Sequence, residues 1–317
     1  MQYVAPSWLK GGHAQTIWPL AIKGEKPVFR RKRWQTPDND FIDVDFLPRQ
    51  DEQPLVILFH GLEGSSRSHY ARSLMREVAA RGWNGAVVHF RGCSGEPNLL
   101  PRAYHSGDVK EIDWILRRFA AKYPGVPRYA AGVSLGGNAL LCWLGTRRNE
   151  AQELITRAAA ISAPLDLFVS GHELERGFNK VYTRYFLYTM RPAAAEKAIR
   201  FPGRFDAKKA RQARTLAAFD DAYTAPLHGF KNVEDYWRRA SAKPLLGSIT
   251  VPTLVLNARN DPFLPSEALP KARHVSPFVR LEQPAEGGHV GFVSGPFPGN
   301  LEWMPKRVLH YFDSYQA

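Results

Sequence analysis

The stretch "PRYAAGVSLGGNALLCWLGT", residues 127–146, decides the reading of this chain. An apolar run stops at Gly132-Val133-Ser134-Leu135-Gly136, and a second one begins directly after it. Gly-x-Ser-x-Gly is short enough to arise by chance in a glycine-rich bend. Its context argues otherwise. Residues 128–133 read as a buried strand and 135–147 as a helix, which sets Ser134 on a sharp strand-to-helix turn where its hydroxyl is presented above the sheet. The flanking glycines suit a strained turn that neighbouring backbone approaches closely. Ser134 is therefore the candidate nucleophile.

The neighbouring segments supply a sheet for that turn. "PLVILFH" (Pro54–His60), "GAVVHF" (Gly85–Phe90), "RAAAISA" (Arg157–Ala163) and "PTLVLNA" (Pro252–Ala258) are nearly continuous apolar runs, as expected of strands covered on both faces. "FIDVDFL" (Phe41–Leu47) alternates and reads as a half-exposed strand. Between the runs lie helical patterns. Tyr70, Leu74 and Val78 share a face, with Gly82 as terminator. Val109, Ile112, Leu116 and Phe119 share another, with Asp108 and Glu111 spaced as a capping box. A last helix is predicted over Leu301–Tyr315. Strand and helix in alternation imply an α/β fold with a mostly parallel sheet flanked by helices. Residues 165–248 break the alternation with helix-like pieces and no convincing strand. The expected layout is a core of residues 1–164 and 249–317 with a helical cap inserted at 165–248.

An activated serine needs a base, and the base needs an orienting carboxylate. Asp261, in "NARNDPF", directly follows the last clear apolar strand, and His289, in "EGGHVGF", lies in a glycine-rich loop before the final helix. The order Ser134, Asp261, His289 is the one expected where the acid and then the base follow the nucleophile along the chain. Asp166 and the pair Asp220–Asp221 are rival acids in or beside the cap, while His13, His60, His69 and His105 all precede the serine. The developing oxyanion also needs donors. The backbone N–H of Leu135 is one candidate, and that of Leu62, in "FHGLEG" (Phe59–Gly64) after an early strand, is the other.

Composition removes several alternatives. The chain has 317 residues, ordinary hydrophobic content (44%) and two cysteines, too few for a disulfide framework or a metal cluster. No His-Glu-x-x-His pair, phosphate loop or dinucleotide fingerprint is present in the sequence. No metal and no cofactor is expected. The amino terminus lacks a basic start followed by an apolar run, so the expected location is the cytoplasm. The formal net charge is +13, with 15 Lys/Arg against 8 Asp/Glu between Gly171 and Lys243, and a further run at Arg30-Arg31-Lys32-Arg33. Such an excess can serve solubility, an anionic membrane or nucleic acid. No nucleic-acid motif accompanies it, so nucleic acid is not an expected partner, whereas peripheral contact with an anionic membrane stays open. Oligomeric state is not legible.

The motifs also resemble a known family. "GGHAQTIWP" (11–19), "HGLEGSSRSHYA" (60–71), "HFRGCSGEPN" (89–98), "YHSGD" (104–108), "GVSLGGN" (132–138), "NDPF" (260–263) and "GGHVGF" (287–292) are similar to the YheT-type esterases, a bacterial branch of the α/β-hydrolases akin to hydrolase-domain lipases and medium-chain ethyl-ester synthase/esterases. The resemblance implies an α/β-hydrolase fold with a helical cap, a nucleophile at Ser134, an acid at Asp261, a base at His289, and hydrolysis of carboxylic esters. It leaves the substrate open. The expected substrate is a small-molecule ester, short- to medium-chain or an acylglycerol. An acyltransferase or thioesterase with the same acyl-enzyme is the near alternative. A non-catalytic hydrolase-fold protein using its basic cap on membrane or nucleic acid is the distant one. Arg91–Asn98 is expected to buttress the nucleophile region, His13 and Trp18 to pack the amino-terminal arm on the core, and the aromatics of Gly177–Met190 to line an acyl pocket.

Overall fold

A computed structural model describes residues 1–22 and 24–314 of the chain. Eight strands form one sheet: β1 Arg30–Gln35, β2 Phe41–Phe46, β3 Leu55–Phe59, β4 Asn84–Val88, β5 Arg128–Val133, β6 Arg157–Ile161, β7 Thr253–Leu256 and β8 Val279–Glu282. Their order across the sheet is β1-β2-β4-β3-β5-β6-β7-β8. β1 and β2, and β2 and β4, pair antiparallel; every other neighbouring pair is parallel. The apolar strands β3, β5, β6 and β7 are buried almost throughout, as their uninterrupted hydrophobic runs require.

The helices are α1 Gly12–Ile17, α2 His69–Ala80, α3 Val109–Lys122, α4 Leu135–Arg147 and α5 Asn149–Leu154, then α6 Leu167–Glu173, α7 Lys180–Arg200, α8 Ala207–Gln212, α9 Leu216–Phe219, α10 Ala225–Leu227, α11 Val233–Arg239 and, after the sheet, α12 Trp303–Asp313. Among the described residues, the chain from β6 to β7 carries helices and no strand. Those helices enclose an apolar cluster that includes Leu187, Phe219 and Ala210 and reaches Phe263, next to Asp261. Among the described residues, no helix is long and apolar enough to cross a membrane.

Several local expectations hold in detail. Gly82 takes the left-handed conformation just past α2 (φ 69°). Asp108 caps α3 by accepting from the Glu111 N–H at 3.2 Å. The reciprocal half of that capping box is not made, because the Glu111 carboxylate turns to the buried Arg91 guanidinium at 2.9 Å. α12 is shorter at its start than expected, and Tyr315, the end foreseen for it, lies outside the described residues.

The sheet edge differs from its sequence reading. The run at residues 30–33 is the start of β1; all four residues are exposed, and Arg31 and Arg33 are ion-paired across to β2. In the β1–β2 register Arg31 faces Asp45 and Arg33 faces Asp43. Arg31 meets Asp45 at 2.7 Å and Arg33 meets Asp43 at 2.8 Å. All six β2 residues are therefore buried rather than alternating in and out. Burial alone would push the Asp45 carboxyl up; Arg31, His89 and Ser66 hold it well below its ordinary range. β8, with Arg280 and Glu282 in only four residues, carried no apolar signal; Glu282 is held by Arg307 of α12 at 2.8 Å.

Candidate active site

Ser134 sits between β5 and α4 at φ 52°, ψ −121°, a conformation that side chains rarely adopt. The glycines around it are needed by contact. A Cβ on Gly132 would lie 2.5 Å from the Gly136 carbonyl oxygen, and one on Gly136 would lie 2.4 Å from the carbonyl oxygens of Phe59 and His60. The turn can thus press against the end of β3, bringing the Ser134 and Leu62 backbones to one cavity of about 100 Å³.

His289 Nε2 lies 2.9 Å from Ser134 Oγ, and His289 Nδ1 lies 2.9 Å and 3.2 Å from the two Asp261 carboxylate oxygens. A carboxylate only accepts, so Nδ1 carries the proton and Nε2 presents its lone pair to the serine hydroxyl. Asp261 is buried and also accepts from the Phe263 N–H at 2.8 Å. The Phe263 ring stacks on the imidazole at 4.0 Å between centroids, shielding this pair from water. The rivals are engaged elsewhere. Asp166 caps α6 through the Val169 N–H, and Asp221 accepts from the Val233 N–H. Asp220, pushed up to about 6 by burial, accepts from Thr224 and Trp237, also between β6 and β7. Burial holds His60 down at about 3 and His69 down at about 4.

The Leu62 turn is built with unusual economy of donors. The Gly61 N–H donates to the Tyr70 hydroxyl at 2.8 Å, and the Glu63 N–H donates to the Tyr104 hydroxyl at 3.0 Å. Tyr104 in turn donates to the Glu63 carboxylate at 2.9 Å, holding Glu63 at φ 55°. Beneath them the fully buried His60 accepts the Phe90 N–H at 3.1 Å and faces the Gly61 carbonyl oxygen at 2.7 Å. Among the described residues, the Leu62 N–H between the two clamped amides has no intramolecular acceptor, and neither has that of Leu135 at the start of α4. Removing the Tyr104 hydroxyl frees the turn without removing a donor. Tyr104→Phe is expected to lower kcat about tenfold at nearly constant KM, with a parallel loss of affinity for a boronic acid but not for a substrate-like amide. Steady-state kinetics with both inhibitors checks it; unchanged kcat would leave the clamp a purely structural contact.

Two residues absent from the sequence reading organise the loops that carry Asp261 and His289. The Gln15 side-chain oxygen accepts from the Gly287 N–H at 2.8 Å and from Asn260 Nδ2 at 2.9 Å. The Thr16 hydroxyl accepts from the His289 N–H at 2.9 Å. α1 lies so close to these loops that a Cβ on Gly12 would fall 2.0 Å from the Asn260 carbonyl oxygen. The motif "GGHAQTIWP" therefore serves the loops that carry Asp261 and His289. Of the two residues expected to pack it on the core, His13 instead bonds the Tyr182 hydroxyl at 3.1 Å and packs on Phe178, both in the segment between β6 and β7. Trp18 donates to the Pro298 carbonyl oxygen at 2.9 Å.

"RGCSGEPN" also acts at one remove from the serine. Arg91 binds Glu111, Asp40 and Asp38, and Asn98 binds Asp40 and the Phe41 carbonyl oxygen, all at 2.6–3.1 Å. This network ties the β4–α3 connection to the start of β2; Phe90, next to Arg91, reaches toward the Leu62 turn through His60 and through its stack on Tyr104 at 5.3 Å between centroids. Of the aromatic stretch Gly177–Met190, Phe186 and Met190 line the cavity at Ser134, whereas Phe178, Tyr185 and Tyr188 face outward.

Against known proteins, a family model described as alpha/beta hydrolase fold matches residues 54–296. The Escherichia coli K12 protein named "Putative esterase YheT" is 38% identical over 96% of this chain and 90% of its own. Mouse "Phospholipase ABHD3" is 30% identical over 98% of this chain and 77% of its own. Among solved structures, the Pyrococcus furiosus esterase Pf2001 matches with a TM-score of 0.59 at 17% identity, covering 90% of each chain, a likeness of fold.

Proposed function

The chain belongs to the α/β-hydrolase family, in the branch that contains YheT, and from that premise we propose that it hydrolyses carboxylic esters through an acyl-enzyme on Ser134. The observation that carries the reading is the unbroken path from Ser134 Oγ to His289 Nε2 and from His289 Nδ1 to Asp261, with both links at 2.9 Å.

His289 Nε2 takes the hydroxyl proton as Ser134 Oγ attacks the ester carbonyl carbon. The carbonyl π pair moves to oxygen, and that oxyanion accepts from the Leu62 and Leu135 N–H groups. Asp261 keeps Nδ1 protonated and offsets the charge of the imidazolium. The tetrahedral intermediate collapses, its C–O bond breaks, and the alcohol leaves with the proton from His289. Water, deprotonated by the same imidazole, then attacks the acyl-enzyme and returns Ser134. The helices over residues 165–248 act as a cap, and Phe186, Met190 and Phe263 offer the acyl chain an apolar wall.

A series of 4-nitrophenyl esters of rising acyl length tests this, with and without an added alcohol. The reading predicts hydrolysis with kcat/KM peaking at short to medium chains, since the cavity is small. No turnover of any chain length would refute it. Dominant transfer to the alcohol over water would instead favour the acyltransferase alternative.

A further inference from the structure

The long cap helix α7 turns an apolar stripe outward. Val181, Tyr185, Tyr188, Pro192 and Ile199 recur at helical spacing on one face, interrupted only by Glu196, and all are exposed, Tyr185 by 66%, Tyr188 by 79% and Ile199 by 83%. A free-standing helix in water would bury such a face, and a stripe this exposed marks a contact surface. Lys180 and Arg184 lie on the same exposed stretch and form no ion pair among the described residues. The segment around them is strongly basic, with 15 Lys/Arg against 8 Asp/Glu over residues 171–243.

The stripe also leads into the active site by direct ring contact. Tyr185 meets Phe186 (6.1 Å between centroids), Phe186 meets Phe263 (6.2 Å), and Phe263 stacks on His289 (4.0 Å). A second chain runs from the exposed Phe178 through Tyr182 to Phe263. The outward aromatics thus connect by ring contact to Phe186 and Phe263, which line the cavity that holds Ser134.

We infer that α7 docks on an anionic phospholipid surface, its apolar stripe entering the headgroup region and its cations facing anionic headgroups, so that the cavity at Ser134 opens toward esters partitioned into that surface. The charge selects the partner: an apolar stripe alone fits a second copy or any bilayer, whereas a stripe with unpaired cations in a basic segment is complementary to anionic lipid. The delivery of ester substrate rests on the hydrolase reading above; the docking does not.

The test uses the full chain carrying Ser134→Ala, which reads binding without turnover, and sedimentation with sucrose-loaded vesicles of phosphatidylcholine, alone or mixed with phosphatidylglycerol. The protein should pellet with the mixed vesicles and hardly with phosphatidylcholine alone. Tyr185→Ser with Tyr188→Ser should lower the partition coefficient about tenfold, and Lys180→Glu with Arg184→Glu should lower it about as much and flatten its salt dependence. The thermal midpoint of each variant verifies folding. The inference is overturned by absence of pelleting at low salt, by tyrosine variants that bind like the parent, or by tighter retention on duplex DNA that ignores the tyrosine changes. A concentration-dependent dimer in light scattering that Tyr188→Ser abolishes would overturn it too, by assigning the stripe to a second copy. The two readings fail separately: vesicle binding without hydrolysis by the native chain sinks only the ester reading, and hydrolysis of a water-soluble ester without vesicle binding sinks only this one.

Discussion

Ser134→Ala is expected to lower kcat for a short 4-nitrophenyl ester by a factor on the order of 10⁴ to 10⁶, and His289→Ala to lower it comparably. The double variant should be hardly worse than either single one. In the proposed mechanism nucleophile and base act as one unit, because Nε2 has no task once the hydroxyl is gone and the hydroxyl stays neutral once Nε2 is gone. The 2.9 Å separation of these two atoms is the basis of that non-additivity. Purified variants assayed side by side provide the check. Losses that simply add would mean that the two side chains contribute independently, against the proposed mechanism. Ser134→Ala should not collapse the fold, since the strain at φ 52° belongs to the backbone turn, whose glycines remain.

Asp261→Asn is expected to lower kcat about 10⁴-fold while leaving KM within a small factor. The amide can donate where the carboxylate could only accept. His289 would then carry its proton on Nε2, facing Ser134 Oγ with a donor and no lone pair. Burial makes the exchange costly to evade, because Asp261 is buried and also holds the Phe263 N–H. The pH profile of kcat distinguishes the cause: a tautomer fault should be partly relieved at high pH, where the deprotonated serine no longer needs the base. A variant with nearly native kcat would transfer the acid's role away from Asp261.

The sequence was informative where a residue type has a single structural use. Gly132 and Gly136 mark the turn because no larger residue fits there, and the uninterrupted apolar runs mark β3, β5, β6 and β7 because only doubly covered strands can be that apolar. It was silent where a role depends on a partner distant in the chain. Arg31 and Arg33 resemble any basic surface until Asp45 and Asp43 are seen opposite them, which also explains why β2 could not be recognised as fully buried. Gln15 and Thr16 hold loops more than 240 residues away through two main-chain amides and the Asn260 side-chain amide, contacts that leave no pattern of spacing. Their only trace was the family-like motif around them. His13 was placed on the wrong neighbour for a related reason: nothing in its local sequence distinguishes Tyr182 of the cap from the core.

Covalent labelling tests, without knowledge of the substrate, whether Ser134 is a nucleophile activated by its own neighbours. Native protein treated with a fluorophosphonate should gain one phosphonyl group, mapped by peptide mass spectrometry to the peptide containing Ser134, and the Ser134→Ala variant should gain none. Native protein that stays unlabelled, or a Ser134→Ala variant that labels equally well, would contradict the account.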